Sequence, residues 1–200
     1  MKLLIPICIL CLSIPQLSFS QQDSPDHLNY GVKAGKSFYS FSEDAVEPRT
    51  DLSFYAGGFV STSFSSKLKL QTELLFEAYN LRDNNFFNIE TNILQLSVPV
   101  FVKFEALPNL FLNAGGFAGY RIDVNTDGDN IINNNLIKDW DAGLLTGADY
   151  HFDNGLFFEI RYNYGLVDIQ NQPQSDLADL IIYDSEIKTR SFFIGVGFQF

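Results

Sequence analysis

Charged side chains at alternate positions of apolar segments are the first candidates for chemistry in this sequence. Alternate residues of a β-strand face the same side, so charges spaced in this way share one face if the segments are strands. Arg121 and Asp141 are expected at similar depth on neighbouring segments, and so are Asp149 and Glu159, with Arg161 one step away. These positions predict interior ion pairs within a set of eight residues: Lys33, Glu73, Lys103, Arg121, Asp141, Asp149, Glu159 and Arg161. The alternative is an interior that conducts or binds a small ligand or ion.

An acidic segment between two apolar segments is the second candidate. Its oxygen-bearing residues at alternate positions, with Gly128 at the sixth position, resemble the opening of a calcium loop; they are Asp123, Asn125, Asp127 and Asp129. The twelfth position holds Asn134, where such loops carry a bidentate Glu, and no helical pattern flanks the segment. Weak Ca²⁺ binding therefore stands against a polar loop tip without metal, and no other cofactor is indicated.

Residue types used in catalysis are scarce. The histidines are His27 and His151, and neither has a serine beside it in sequence. Both cysteines, Cys8 and Cys11, lie in the N-terminal segment. No phosphate-binding loop or nucleotide fingerprint is present. The sequence predicts that this protein is not an enzyme.

The segments that carry the interior charges alternate strictly between polar and apolar residues. From Leu156 to Tyr164, one set of alternate positions is Leu, Phe, Ile, Tyr and Tyr, and the other includes Glu159, Arg161 and Asn163. A helix would mix these sets around its circumference, whereas a strand separates them. The same pattern predicts strands over 30–41, 52–64, 68–78, 94–104, 110–122, 140–151, 156–165 and 188–200.

The distribution of charge between the two faces indicates a membrane. The apolar face has almost no charge, while the other face has nearly every charge of the strands. A water-soluble barrel would place its apolar residues inside, and wide apolar bands are unfavourable in water. An even number of strands of this length suits a bilayer. We predict an all-β fold, an eight-stranded antiparallel up-and-down transmembrane β-barrel whose narrow interior is filled by side chains.

Connections between the segments alternate in length. Short connections fall at 65–66, 105–109 and 153–155, and long ones at 42–51, 81–92, 123–138 and 168–187. Short periplasmic turns and long extracellular loops are typical of outer-membrane barrels. The loop 168–187 contains an apolar cluster, Leu177, Leu180, Ile181, Ile182 and Tyr183, which favours contact with the barrel mouth or with another protein.

The N-terminal residues have the layout of a secretory signal peptide. Lys2 precedes the apolar run 3–12, and a small-residue stretch ends at Ser20. Leu10 before Cys11 disfavours a lipoprotein signal. We predict a cleaved signal peptide at 1–20, a short flexible leader at 21–29 and a barrel at 30–200, exported to the bacterial outer membrane. The mature chain would contain no cysteine and therefore no disulfide.

Net charge and hydropathy exclude two further classes. The formal net charge is -11, and a chain this acidic repels nucleic acid. No apolar run of 18 or more residues is present, so the sequence predicts no transmembrane helix.

Several short motifs, taken in order, resemble the PorT-like outer membrane β-barrel family common in Bacteroidetes. They are Gly-Val-Lys-Ala-Gly at 31–35, Leu-Gln-Thr-Glu-Leu-Leu at 70–75, Leu-Ser-Val-Pro-Val at 96–100, Asn-Ala-Gly-Gly-Phe at 113–117 and Arg-Tyr-Asn-Tyr-Gly-Leu at 161–166. Apolar residues at every second position up to Phe200 look like the signal read by the barrel assembly machinery. The resemblance implies fold and location, and one branch of the family serves protein secretion.

We therefore expect a non-catalytic integral outer-membrane protein with a structural or protein-interaction role. Its partners would be the lipid bilayer, the barrel assembly machinery through Phe200, and a protein bound at the long loops or the periplasmic turns. A narrow passage or binding site for a small ligand or ion through the lumen is the alternative hypothesis.

Overall fold

The computed structural model describes residues 28–42, 53–83, 89–127, 138–168 and 188–200. Their regular elements are eight β-strands: β1 (Leu28–Ser42), β2 (Ser53–Ser63), β3 (Leu68–Asp83), β4 (Ile89–Leu107), β5 (Leu110–Asp127), β6 (Trp140–His151), β7 (Leu156–Gly165) and β8 (Lys188–Gln199). Alternating, β-branched and aromatic residues favour this conformation. Over the same residues, no helix has the length and apolar character needed to cross a membrane.

The eight strands form one closed antiparallel barrel. Each strand pairs with its neighbour in sequence, and β8 pairs with β1 to close the sheet. Closure leaves no unpaired edge, which is the condition for strands in a bilayer. The predicted fold class is confirmed.

The barrel is staggered by ten residues. Cross-strand partners followed once around the sheet lead from Phe38 back to β1 at Leu28, through Phe192, Tyr162, Thr146, Ala114, Val102, Leu70 and Thr62. Hydrogen-bonded partners on neighbouring strands therefore do not lie at the same height along the barrel axis. The difference averages slightly more than one residue per strand. This stagger determines which interior side chains lie in the same layer.

Alternation along the strands separates an apolar exterior from a polar interior. The central exterior consists of half-exposed aliphatic residues such as Leu74, Val100, Leu144 and Ile194. Aromatic residues lie towards both ends of the exterior: Phe54, Tyr120, Trp140 and Tyr162 near the ends of the 42–51, 123–138 and 168–187 connections, and Phe104, Tyr150, Phe152 and Phe158 near the short turns. Aromatic residues prefer the two membrane–water interfaces, so the exterior has the pattern of a membrane-facing surface.

Three tight connections join the strands at one rim, over 64–67, 108–109 and 152–155. Asn109 and Gly155 have positive φ angles of 68° and 88°. Glycine adopts this conformation without a Cβ penalty, and asparagine tolerates it better than most residues. A Cβ at Gly155 would also contact the backbone oxygen of Gln199, so both φ and space favour glycine there.

Two strand limits differ from the sequence prediction. β1 begins at Leu28, which pairs with Thr62, so the last two residues of the predicted leader belong to the barrel. β3 and β4 continue to a final pair of Asp83 with Ile89, which shortens the long connection predicted over 81–92 to 84–88. Hydrogen bonding between strands continues here without an apolar face, and hydropathy alone gives no signal for such an extension.

Candidate functional site in the barrel interior

All eight charged residues assigned to the interior are buried there, each 5% exposed or less: Lys33, Glu73, Lys103, Arg121, Asp141, Asp149, Glu159 and Arg161. They lie there because a β-strand alternates its side chains between its two faces, and these residues occupy the positions that face the bore. Buried charges are unfavourable unless they are paired and hydrogen-bonded. Their partners therefore decide what this interior can do.

Four charged side chains form a closed network at the centre, which we call the central quartet: Lys33, Glu73, Glu159 and Arg161. Lys33 Nζ lies 2.7 Å from Glu73 Oε1 and 2.8 Å from Glu159 Oε2. Arg161 Nη1 lies 2.8 Å from Glu73 Oε2, and Nη2 lies 3.2 Å from Glu159 Oε2. Two cations and two carboxylates balance in this network, so each charge has at least two opposite partners.

The central quartet crosses the whole bore. Glu73 is on β3 and Arg161 is on β7, and these strands lie opposite each other in the ring of eight. The Tyr55 hydroxyl of β2 donates to Glu159 Oε1 at 2.6 Å, and Gln71 Nε2 donates to Glu73 Oε1 at 2.7 Å. The Arg161 guanidinium lies 4.9 Å from the centre of the Phe101 ring on β4. These contacts fill the middle of the barrel.

A second cluster lies nearer the short turns. Lys103 Nζ and His151 Nε2 lie 2.7 Å and 2.5 Å from the same oxygen, Asp149 Oδ2, and Asn113 Nδ2 donates to Asp149 Oδ1 at 2.5 Å. The His151 ring stacks on Phe157 at 4.8 Å between centroids. Asp149 and Glu159 are cross-strand partners, so this cluster continues directly into the central quartet.

The expected contact between Arg121 and Asp141 is not formed. Asp141 pairs in register with Gly119, two residues from Arg121. Arg121 instead donates to the Tyr79 hydroxyl at 3.4 Å and to the backbone oxygen of Lys138, while Asp141 accepts from the Thr189 hydroxyl. The stagger of the barrel brings side chains two strands apart into contact, so Arg121 and Asp141, which lie at the same height on adjacent strands, each bind such a partner.

Sequence reasoning did not select Glu77 as a site residue. Its carboxylate accepts a hydrogen bond from the Tyr39 hydroxyl of β1, and the Tyr39 ring stacks on Tyr79 at 4.0 Å between centroids. Gln95 Nε2 also donates to Glu77 Oε2, at 3.5 Å. Glu77 lies four residues after Glu73 in the same strand, so the alternation places both side chains on the interior face. That spacing could have identified Glu77 from the sequence.

The proposed calcium segment lies mostly in a strand and not in a loop. β5 continues through Asp127, with a β-bulge at Ile122, where the partner of Gln95 is Arg121 and the partner of Leu94 is Asp123. Because of the bulge, Asp123 pairs with Leu94, which faces outward. Arg121, two residues earlier, faces inward. Asp129 lies outside the described residues, and weak Ca²⁺ binding stays a prediction.

Within the ranges that the structure describes, no group of three or more His, Cys, Asp or Glu side chains could hold a metal ion. His151 has Asp149, Lys103, Phe111 and Phe157 as its contacts there, and none of these is a hydroxyl or thiol nucleophile. The contacts of the central quartet and of this second cluster are ion pairs and hydrogen bonds between fixed groups.

Comparisons with known proteins agree with this architecture. The model of the family described as outer membrane protein beta-barrel domain matches residues 19–171. No curated protein sequence matches the chain. The crystal structure of Neisserial surface protein A is similar over 86% of this chain and 97% of its own, with 12% identity and a TM-score of 0.55.

Two further solved structures are similar at lower scores. Ail, the attachment invasion locus protein of Yersinia pestis, is 12% identical, over 86% of this chain and 98% of its own, with a TM-score of 0.46. The outer membrane protein OprG from Pseudomonas aeruginosa is 13% identical, over 86% of this chain and 94% of its own, with a TM-score of 0.41. At these identities the likeness concerns the fold alone.

Proposed function

This chain belongs to the outer membrane protein β-barrel domain family, and we propose that it acts as a non-catalytic module with a structural or protein-interaction role. It is a protein of the outer membrane, and its half-exposed apolar exterior faces lipid. Its contacts with other proteins would then lie outside the bilayer, at the connections between strands.

The observation that carries this proposal is the ion pair across the bore. Arg161 and Glu73 join opposite strands at 2.8 Å, with side chains 2% and 0% exposed. The Phe59 and Phe157 rings, from β2 and β7, meet below them at 5.6 Å between centroids. Eight strands leave an interior that side chains can fill, and these contacts oppose a continuous water path.

Planar-bilayer recording tests the closed bore directly. We expect the purified mature protein to produce no discrete current steps. Steps that scale with protein concentration would contradict the proposal and favour the alternative, a narrow passage for an ion or small ligand.

The interaction surface is proposed on the long loops or the periplasmic turns, because loops held on a rigid scaffold are suited to binding. The favoured segment, 168–187 with Leu177, Leu180, Ile181, Ile182 and Tyr183, lies outside the described residues except at Asp168. There, Lys138 Nζ donates to the Asp168 backbone oxygen at 2.7 Å, which ties the start of the segment to the β5–β6 connection.

A loop exchange tests this surface. Residues 169–187 are replaced by a Gly/Ser linker, and the matched control replaces 43–52 in the same way. Proteins are captured from detergent-solubilised native membranes with each variant. We expect a specific partner to be lost only with the 169–187 exchange, whereas equal capture by all three proteins would remove the docking proposal.

Finer assignments extend the same proposal. They are membership of the PorT-like branch in Bacteroidetes, a role in secretion, a signal peptide at 1–20 that lies outside the described residues, and assembly-machinery recognition through Phe200. In support of the last, Phe200 N donates to Tyr30 O at 2.9 Å, and the two rings lie 5.6 Å apart at the seam between β8 and β1. Deleting Phe200 is expected to lower the level of assembled barrel in membranes, and normal levels would contradict this.

A further inference from the structure

One interior layer between the central quartet and the long-connection rim is built from small polar residues. With the ten-residue stagger, each strand contributes one position to this layer, which we call the serine ring: Ser37, Ser53, Glu77, Ser97, Gly119, Gly143, Asn163 and Ser191. Four serines and two glycines take six of these eight positions, so most side chains of this layer are small.

The neighbouring layers contain larger side chains. Below the ring lie Tyr55, Leu75, Phe117, Leu145 and Phe193, and above it lie Tyr39, Tyr79, Gln95, Arg121 and Thr189. Gln95 lies over Gly119 and Phe117 lies over Gly143, since a Cβ on either glycine would meet these side chains. The serines of β1, β2, β4 and β8 therefore share this layer with Glu77 of β3 and Asn163 of β7.

Several buried oxygen atoms in and next to this layer have no geometric hydrogen bond among the described residues. They are the hydroxyls of Ser37, Ser53 and Ser97, with Glu77 Oε1, Asn163 Oδ1 and, just above the ring, Asp141 Oδ1. Each of these residues is 3% exposed or less, and the Ser97 hydroxyl also interacts with the Glu77 carboxylate. Buried polar atoms are almost always satisfied by protein, water or an ion, so a group of such oxygens in and next to one layer indicates an occupant.

The charge of this region indicates the sign of the occupant. Glu77 accepts from neutral donors, Tyr39 and Gln95, and Asp141 accepts from neutral Thr189. Arg121 is bound to Tyr79 and to a backbone oxygen, and the central quartet below is internally balanced. Among the side chains that the structure describes in this region, two carboxylates against one guanidinium leave one negative charge, which a monovalent cation would neutralise.

We propose that the serine ring binds a monovalent alkali cation, with Glu77 as the charged ligand and the ring's neutral oxygens completing its coordination. Carboxylate, hydroxyl and amide oxygens are hard donors, and these suit alkali and alkaline-earth cations better than transition metals. A single charged ligand among mostly neutral oxygens favours Na⁺ or K⁺ over a divalent ion. The site is independent of any partner at the loops.

Thermal unfolding of the full mature protein in detergent tests the site, with NaCl, KCl or RbCl compared against choline chloride at equal ionic strength. Choline carries its charge behind three methyl groups and cannot take oxygen ligands as a bare ion does, so it serves as the matched salt. Alkali salts should raise the apparent midpoint by roughly 3–6 °C at a cation concentration tenfold above the dissociation constant, and the effect should saturate. Glu77→Gln should lose this difference, while Asp153→Asn, on an exposed short turn, should keep it.

Crystals of the wild-type protein grown in RbCl provide a second measurement that does not depend on a variant folding. An anomalous peak within the serine ring is expected, bounded by Glu77 and the ring hydroxyls. Equal midpoints in alkali and choline salts, an alkali effect that persists in Glu77→Gln, or crystals with water alone in the ring would each overturn the proposal.

Discussion

Removing one charge from the central quartet tests whether its four members act as a unit. Arg161→Met replaces the guanidinium with a neutral, unbranched side chain. Lys33 is then left to balance both Glu73 and Glu159. Glu73→Gln deletes one carboxylate and leaves two cations against Glu159. The double variant restores balance, because the pair of Lys33 Nζ with Glu159 Oε2 at 2.8 Å remains.

The expected loss in free energy of unfolding follows from the burial of these four side chains. The side chains of the quartet are 0–4% exposed, so solvent screens them little. Removing one partner from a buried pair costs about 3–5 kcal/mol of the free energy of unfolding, since an uncompensated charge stays buried. We expect each single variant to lose that amount. The double variant should lose less than the sum, with a coupling free energy of about 2 kcal/mol.

Urea unfolding in lipid vesicles, followed by tryptophan fluorescence, measures these values. Trp140 is the single tryptophan, and it is half-exposed on the lipid-facing side, so its emission reports transfer from lipid to water. Lys67→Met is the matched control, because it removes a cation from an exposed turn and should change stability by no more than about 0.5 kcal/mol. Losses that add in the double variant would refute the account of the quartet as one unit.

Three further predictions concern the exterior, the seam and the acidic segment. Leu144→Arg, in the middle of the lipid-facing band, should cost about 2–4 kcal/mol of stability in vesicles, and an unchanged urea midpoint would contradict the outward assignment. Gly195→Val should prevent closure of β8 on β1, because a Cβ at Gly195 would meet the Tyr55 hydroxyl; the folded, heat-modifiable band in electrophoresis should disappear, and its retention would show that Tyr55 can move. For weak Ca²⁺ binding, calorimetry should show heat that Asp127→Ala with Asp129→Ala abolishes, and equal heats would dispose of the site.

The inside and outside of this barrel could be predicted from sequence because side-chain direction in a strand has a period of two. Each of the eight predicted interior charges, from Lys33 to Arg161, is buried in the bore. The alternation does not continue through Ile122, because the β-bulge there turns Asp123 outward. A bulge depends on the register with β4, and nothing within the β5 sequence alone reveals that register.

Strand ends were predicted less well than strand centres. Asp83 and Ile89 are paired although neither continues the apolar alternation, and β5 continues through polar residues to Asp127. Hydrogen bonding between backbones extends a ladder wherever the partner strand is present, so its limit depends on two segments and not on one.

By itself, the sequence determined the strand type, the membrane-facing exterior and eight buried charges, Glu77 being missed, because all three follow from local alternation. The partners of those charges were decided only by closure of the barrel. Its ten-residue stagger gives Arg121 and Asp141 partners two strands away and brings Arg161 of β7 against Glu73 of β3 across the bore. It also gathers the serine ring from eight distant segments. A stagger belongs to the closed sheet as a whole, and contacts between opposite strands exist only after the first strand has paired with the last.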